Sequence, residues 1–399
     1  MKVLLAHNFY RSNAPSGEDG VFRNERQLLE SRGVEVVSYE RFNDDIDDRT
    51  LPAKIRVALD TAWSDKSFSE LNKILRKERP DIVHFHNTFP LISPSAYAAC
   101  RENRIPVVQT LHNYRLICPG GLLLRDGRPC EACVGRSLYP ALRHACYRDS
   151  HAATAAVVCM LWRNRMAGAY SRRVDRYIAL TQFAARRLIA GGLPAAQLAV
   201  KPNFLPNPPQ PNVSDNAGHY AIYVGRLTTE KGVKTLISAW RSVPNLPLKI
   251  VGDGALSEEL KQAARDAKLP IEFCGFRPHA EVLELIKSAR LQIIPSECYE
   301  GFPLSVLEAF ACGTPVVASR LGGLAEIVEE GVTGVLCTPA DPQDLARKIN
   351  ELLAKPEQWQ RLRRQALNVF EQRYTADINF QQLMQIYQDA SKEHLLRYK

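Results

Sequence analysis

The sequence predicts an α/β protein built from two tandem Rossmann-like domains that face a central cleft, and three observations carry that expectation. At 399 residues the chain is longer than one compact core normally fills. Short apolar runs alternate with helical patterns through both halves, as in parallel, doubly wound sheets. Between the halves, residues 201–211 hold five prolines in eleven positions, which neither helix nor strand tolerates. The expected division is an N-terminal domain at 1–201 with a cysteine-containing insertion at about 114–150, a linker at 202–218, and a second domain at 219–375. A C-terminal helix at 376–399 is expected to pack back toward the N-terminal domain.

In the first half, residues 3–7, 34–39, 81–86, 106–112 and 176–181 read as strands continuous enough to be covered on both faces. Helical patterns at 21–32, 68–79, 94–103 and 182–190 lie between them. Strands resume at 219–225, 247–251, 271–274, 291–294, 315–318 and 334–337, and three helical stretches, 341–354, 356–373 and 377–390, close the chain. Ligands of such sheets bind outside the C-terminal strand ends, which places a shared substrate in the cleft.

Composition is that of an ordinary globular protein, with 45% hydrophobic and 24% charged residues. The net charge of +9 is unevenly spread: Arg101 to Lys201 carries 16 Lys and Arg against 5 Asp and Glu, while the residues after it carry 22 against 23. Such a basic region attracts nucleic acid, anionic lipid or phosphorylated ligands, and no DNA- or RNA-binding signature accompanies it. The apolar run Val3 to Ala6 is too short for a signal-peptide core, and the longest apolar stretch elsewhere, Ala152 to Trp162, is too short to cross a bilayer. With ten cysteines, this implies a reducing cytosol and a cytoplasmic protein, with room for a peripheral position on the inner face of the plasma membrane.

The densest chemistry lies between Glu300 and Glu308, where Gly301-Phe302-Pro303-Leu304 forms a turn opening into a helix over 305–312. Bare N–H groups at a helix start favour an anion. A carboxylate on each side accepts from hydroxyls, so a ligand with sugar, diphosphate and ribose in sequence fits the spacing. Arg226 and Lys231 lie in the loop Gly225 to Gly232 after a strand, placed to clamp a diphosphate, one by a planar fork and one as a point charge. Gly252-Asp253-Gly254 follows another strand; as a dinucleotide fingerprint it is incomplete, because Ser257 stands where the third glycine belongs, and it reads better as a turn lining a nucleotide pocket.

These motifs, with Pro295-Ser296 and Gly313-Thr314-Pro315-Val316-Val317 followed by Gly322-Gly323, resemble the retaining family 4 glycosyltransferases of GT-B fold, glycosyl transferases group 1. The resemblance covers the C-terminal domain and implies a hexosyltransferase-type enzyme. It implies that Arg226 and Lys231 bind the donor diphosphate, Glu300 the transferred sugar and Glu308 the ribose. Gly301, Phe302 and Leu304 would offer backbone N–H groups and Gly252 would line the pocket, without a catalytic metal. It also places His112, in Thr110-Leu111-His112-Asn113 at a strand end, against the donor sugar. Near the N-terminus the family commonly has a glycine pair; Gly17, followed by Glu18 and Asp19, stands alone, so that loop could touch donor phosphate or acceptor hydroxyls, and the two acids could equally be first-turn helix acids. His84 and His86 read as structural.

Cys118, Cys130, Cys133 and Cys146 fall in the inserted segment with C-x11-C-x2-C-x12-C spacing, which suits either a structural zinc ion or four reduced thiols. Residues 151–173 join an apolar run to Arg163, Arg165, Arg172 and Arg173, fitting either an anionic membrane or a helix buried under the sheet. Asp45-Ile46-Asp47 matches a metal-binding DxD pattern but sits in the acidic run 44–48, which reads as a solvated loop.

The expectation is therefore a transferase moving sugar from a UDP-, GDP- or ADP-sugar to a glycan acceptor. The basic N-terminal half suggests a polyprenyl-diphosphate-linked acceptor in envelope, lipopolysaccharide or exopolysaccharide synthesis. A nucleotide-sugar epimerase and a non-catalytic sugar-nucleotide-binding regulator are the alternatives.

Overall fold

The computed structural model describes residues 1–13, 16–47, 50–211 and 218–397. The linker positions 212–217, Asp48 of the acidic run and positions 398–399 of the expected 376–399 helix lie outside the described residues. The chain divides into two compact units: Met1–Leu123 with Cys130–Asn203 and Asn379–Lys399, and Leu124–Pro129 with Phe204–Ile378.

The first unit runs β1 (Lys2–Phe9), α1 (Gly17–Ser31), β2 (Glu35–Phe42), α2 (Leu51–Ala62), α3 (Asp65–Glu78), β3 (Ile82–Phe85), α4 (Ser95–Glu102) and β4 (Val107–Leu111). After the hairpin β5 (Leu124–Arg125) and β6 (Arg128–Pro129), which groups with the second unit, come α5 (Tyr139–Arg143), α6 (His151–Met166), α7 (Ala169–Arg172), β7 (Arg176–Ala179), α8 (Gln182–Ala190) and β8 (Leu198–Val200). All six strands of the main sheet are parallel, in the order β2-β1-β3-β4-β7-β8. Strands β3 and β4 are buried along their whole length. β2 departs from the expectation of two covered faces: it pairs with β1 alone, and only Tyr39 is buried. An edge strand has one neighbour fewer to cover it.

Local chemistry sets the helix starts. Ser16 and Asp19 form a capping box on α1, and Thr50 caps α2, a helix not anticipated from the sequence, with Pro52 in its first turn. α16 (Ala376–Arg397) sends Leu383, Ile386, Tyr387 and Ala390 into the core of the first unit, beside Val3, Leu5, Phe22, Ile82, Val108 and Ile178. Each such aliphatic burial contributes about 2 kcal/mol, so the terminal helix is an integral layer of that unit.

The second unit runs β9 (Ala221–Val224), α9 (Val233–Trp240), β10 (Leu248–Val251), α10 (Ser257–Asp266), β11 (Ile271–Gly275), α11 (His279–Lys287), β12 (Leu291–Ile294), α12 (Leu304–Cys312), β13 (Val316–Ser319), α13 (Leu324–Ile327), β14 (Gly334–Cys337), α14 (Pro342–Leu353) and α15 (Pro356–Arg373). Its parallel sheet has the order β11-β10-β9-β12-β13-β14 over a core that includes Trp240, Ile250, Ile293 and Trp359. The strand order reverses direction between β9 and β12. Carboxyl ends of strands at such a reversal leave a crevice where loops can surround a ligand. The loops leaving β9 and β12 are the Gly225–Gly232 and Pro295–Pro303 segments.

Candidate functional site

In the second unit, close packing of glycines holds the loops at the reversal. Gly252 has φ +132°, and a Cβ there would lie 2.0 Å from the Gly225 carbonyl oxygen; Gly232 has φ +67°, and its Cβ would lie 1.9 Å from the carbonyl oxygen of Pro295. Neither position admits a side chain, so the loop after β9 is pressed against the turn after β10 and the segment after β12. This fixes the base of Lys231. Its Nζ lies 2.6 Å from Glu300 Oε1, and the Ser296 hydroxyl donates to the same oxygen at 2.6 Å.

Burial pushes the Glu300 carboxyl up, but the Lys231 ammonium, the Ser296 hydroxyl and the Arg226 charge outweigh it and hold the group below the ordinary carboxylate value. Burial likewise lowers Lys231, and the charge of Glu300 reverses the sign and leaves it raised. Both groups are therefore ionised, which leaves Glu300 an acceptor of hydrogen bonds and a poor general acid. Arg226 is different. Its side chain is 63% exposed, with Glu230 3.6 Å away, so its guanidinium stands at the rim.

α12 starts at Leu304 with Pro303 as its N-cap, and no side chain caps it. One turn in, Glu308 is buried, and its Oε1 lies 2.9 Å from His279 Nε2 at the start of α11. The hydrogen bond to Glu308, ahead of a smaller burial effect, raises the His279 pKa above its ordinary 6.5. Sequence reading missed His279 as a partner of Glu308; nothing in a 29-residue separation announces the contact. Thus Arg226, Lys231, Gly252, Glu300, Gly301, Phe302, Leu304 and Glu308 all belong to the loops and helix start of one unit.

In the first unit His112 follows β4, half-buried, with Nε2 3.0 Å from His86 Nδ1. His86 Nε2 lies 3.0 Å from Glu25 Oε1, and the other carboxylate oxygen accepts from Lys201 Nζ at 3.1 Å. His86, read from the sequence as structural, is the direct hydrogen-bond partner of His112. Burial pushes Glu25 up, but the Lys201 charge and the two histidines hold it well below the ordinary range. Burial pushes His86 down to about 4 and His112 well below its usual value.

These charge states assign the tautomers. An ionised Glu25 requires a proton on His86 Nε2, so His86 Nδ1 accepts from His112 Nε2–H. His112 Nδ1 then carries the lone pair. A sequence signal for Glu25 did exist: it sits in the apolar period of α1, among buried Val21, Phe22, Leu28 and Leu29.

Glu25, His84 and His86 are also the group, among the described residues, whose ligand-type atoms converge within 4.8 Å. The Lys201 ammonium already satisfies the carboxylate there, and His84 bonds to Tyr387 and Thr110, each at 2.8 Å. A pocket opens beside His112, bounded by Tyr10, Asn87, Phe89, Arg115, Met160 and Tyr170. The Arg115 guanidinium lies over the Phe89 ring at 4.4 Å and the Tyr147 ring at 4.9 Å.

Gly17 opens α1, exposed, with no atom within 4 Å of where a Cβ would stand. Asp19 is a buried structural acid, capping α1 and accepting from His7 Nε2 at 2.8 Å; Glu18 accepts from Asn113 Nδ2 at 2.9 Å and is raised by burial. Asp45 ends a short 3-10 turn, and Asp44 accepts from the Ser12 N–H at 3.2 Å. No disulfide joins the four insertion cysteines, and burial pushes Cys133 up to about 11, reinforced by Cys118, Cys146 and Cys130. A tetrahedral zinc cage needs sulfurs about 3.8 Å apart. No three of these thiols are among the groups converging within 4.8 Å.

Two parallel Rossmann-like units, one with a part-buried lysine–carboxylate pair ahead of an uncapped helix start, define the GT-B class of α/β proteins. Comparisons agree. The model described as glycosyl transferases group 1 matches residues 207–369, and that described as glycosyltransferase family 4 matches residues 21–206. The chain belongs to this glycosyltransferase family.

Glycogen synthase from Mycobacterium tuberculosis is 40% identical over 166 residues, 40% of this chain and 39% of the relative. An uncharacterised glycosyltransferase of Methanocaldococcus jannaschii is 26% identical over 352 residues, covering 84% of this chain and 83% of the relative. The chain thus spans about two fifths of the mycobacterial relative's length. The crystal structure of Anabaena HepE in complex with UDP superposes with a TM-score of 0.69 at 21% identity, covering 96% of this chain and 99% of the other. Among the described residues no helix is long and apolar enough to cross a membrane.

Proposed function

We propose that the chain is a retaining glycosyltransferase that takes sugar from a nucleotide-diphosphate donor and passes it to a lipid-linked glycan. The observation that carries the donor reading is the ionised Lys231–Glu300 pair beside the uncapped start of α12. A departing diphosphate gains charge on its oxygens. The helix N-terminus, Lys231 and the rim guanidinium of Arg226 supply positive potential there, so a metal is not required for that step. Glu300, kept ionised, accepts from sugar hydroxyls and orients the ring, and Glu308 accepts from the ribose. HepE is recorded with UDP and with UDP-glucose, which supports a nucleotide sugar of that kind as donor.

In the first unit, His112 Nδ1 is an acceptor for a substrate hydroxyl beside a pocket edged by Arg115. The local excess of 16 basic over 5 acidic residues from Arg101 to Lys201 supports a phosphorylated, polyprenyl-diphosphate-linked acceptor, as in envelope or exopolysaccharide assembly. Arg226→Ala and Glu308→Ala are expected to depress transfer by orders of magnitude while the protein stays folded. Near wild-type transfer in both variants sinks the donor assignment. Equal rates with soluble sugars and with lipid-linked glycan remove the acceptor assignment.

A further inference from the structure

Helix α6 has an apolar stripe on its solvent side. Ala155, Cys159, Trp162 and Met166, spaced by four, three and four residues, are all exposed, Trp162 at 63% and Met166 at 73%. The opposite side of the same helix is buried through Val157, Met160 and Leu161. A helix apolar on both sides is normally enclosed; this one is not. Helix α2 packs against it and repeats the feature, with Leu51, Ile55 and Leu59, one turn apart, exposed at 70%, 53% and 67%.

The two helices are tied at their C-terminal ends: Asn164 Nδ2 donates to the Ala62 carbonyl at 3.0 Å, and the Arg163 and Arg173 guanidinium groups lie 5.4 and 5.7 Å from the Trp63 ring centroid. The helices are thus packed neighbours, and at about 1.5 Å per residue their stripes are roughly 12 to 16 Å long. Single exposed apolar side chains are unremarked on any surface, but seven in two packed stripes form a patch that needs a partner.

Charge selects the partner. Lys54, Arg56, Arg163 and Arg172 are exposed on these helices and the short α7, Arg165 and Arg173 are half-buried, and Asp60 is the one acid in α2, α6 and α7. Four exposed cations to one anion around an apolar stripe is the pattern of a surface that lies on anionic lipid, with Leu, Trp and Met entering the acyl boundary and the cations at headgroup level. A partner surface without negative charge would give no reason for the one-sided charge. Position adds a second argument: Met160, on the inner side of α6, lines the pocket beside His112, so one helix separates that pocket from the stripe.

We propose that α2 and α6 form a peripheral membrane-docking face that rests on an anionic leaflet and brings the His112 pocket to the membrane surface. The proposal deepens the lipid-linked acceptor reading and rests on it for its purpose, but its test uses neither donor nor acceptor. The full chain is mixed with vesicles of phosphatidylcholine alone or with about one third phosphatidylglycerol, and binding is read by co-sedimentation and by quenching of tryptophan fluorescence with brominated lipid.

Binding to the anionic vesicles is expected, weakened at least tenfold on neutral vesicles and at high salt. It should also fall at least tenfold in Leu59→Gln and in Trp162→Gln, both with unchanged thermal midpoints, and the quenching should vanish in Trp162→Gln. No binding by the wild type, equal binding to neutral vesicles, or equal binding by both variants overturns the docking face. So does a concentration-dependent dimer in sedimentation that both variants abolish, which would assign the stripe to a second copy. Vesicle binding without transfer to lipid-linked glycan would instead break the acceptor reading and leave the docking face standing.

Discussion

His86 Nδ1 and His112 Nε2 lie 3.0 Å apart, and the Glu25 carboxylate behind His86 decides which of the two carries the proton between them. In the proposed reaction His86 is a positioning residue that acts through His112. Replacing His86 by Phe keeps a planar ring in the same space and removes the acceptor. Turnover is expected to fall about a hundredfold, the scale of a misoriented group, with affinity for the free nucleoside diphosphate unchanged because the proposed diphosphate and ribose contacts, Arg226, Lys231 and Glu308, are in the other unit. Without the neighbouring imidazole that helps lower its pKa, His112 should titrate closer to its usual value, so an acid limb should move up into the measurable pH–rate profile. A slower enzyme with an unmoved profile would assign His86 to packing alone.

The Lys231–Glu300 pair predicts a strongly non-additive double-mutant cycle. Lys231→Ala leaves a largely buried carboxylate without its counterion and should cost about 3 kcal/mol in urea unfolding. Adding Glu300→Gln to that variant removes the stranded charge and should restore most of the loss. Transfer should stay lost in all three variants. Additive destabilisation would mean that the 2.6 Å contact does not persist in solution.

His279 and Glu308 predict a pH dependence of definite sign. The folded pKa of His279 is raised above its ordinary 6.5, so the pair's contribution is fully present below about 6.5 and is lost as pH rises through the folded value. The thermal midpoint of wild type relative to His279→Phe should therefore be higher at pH 5.5 and converge with it at pH 9. NMR titration should show the His279 pKa falling back in Glu308→Gln, and an unchanged titration would dissolve the pair.

Much of the fold was legible because both sheets are parallel and their strands are near-continuous apolar runs. The proline-rich segment and the helix start at Leu304 follow from residues with narrow backbone preferences, Pro and Gly, which act locally. Helix α2 was not read from the sequence: its Leu51, Ile55 and Leu59 recur at helical spacing but are exposed instead of packing into the core of the unit. The edge position of β2 was hidden too, since exposure of an edge depends on sheet order rather than on the strand's own sequence.

In the site, Glu300, Glu308, Arg226 and Lys231 stand in short contiguous motifs and could be read directly. Their partners could not. His279 meets Glu308 through the packing of α11 on α12, and the register of β3 and β4 with the seating of α1 joins Glu25, His86 and His112, contacts between residues tens of positions apart.

On the proposed function, the loops around Lys231, Glu300 and Glu308 bind a nucleotide-diphosphate sugar. Thermal shift against UDP-, GDP- and ADP-sugars tests it most directly, with Glu308→Gln as the comparison. A ligand at about 100 times its Kd stabilises the folded state by roughly 2.7 kcal/mol, which for units of this size raises the thermal midpoint by several degrees. We expect that rise with at least one nucleotide sugar in the wild type and its loss in Glu308→Gln. No shift with any of the three nucleotide classes, or an equal shift in the variant, would contradict the account.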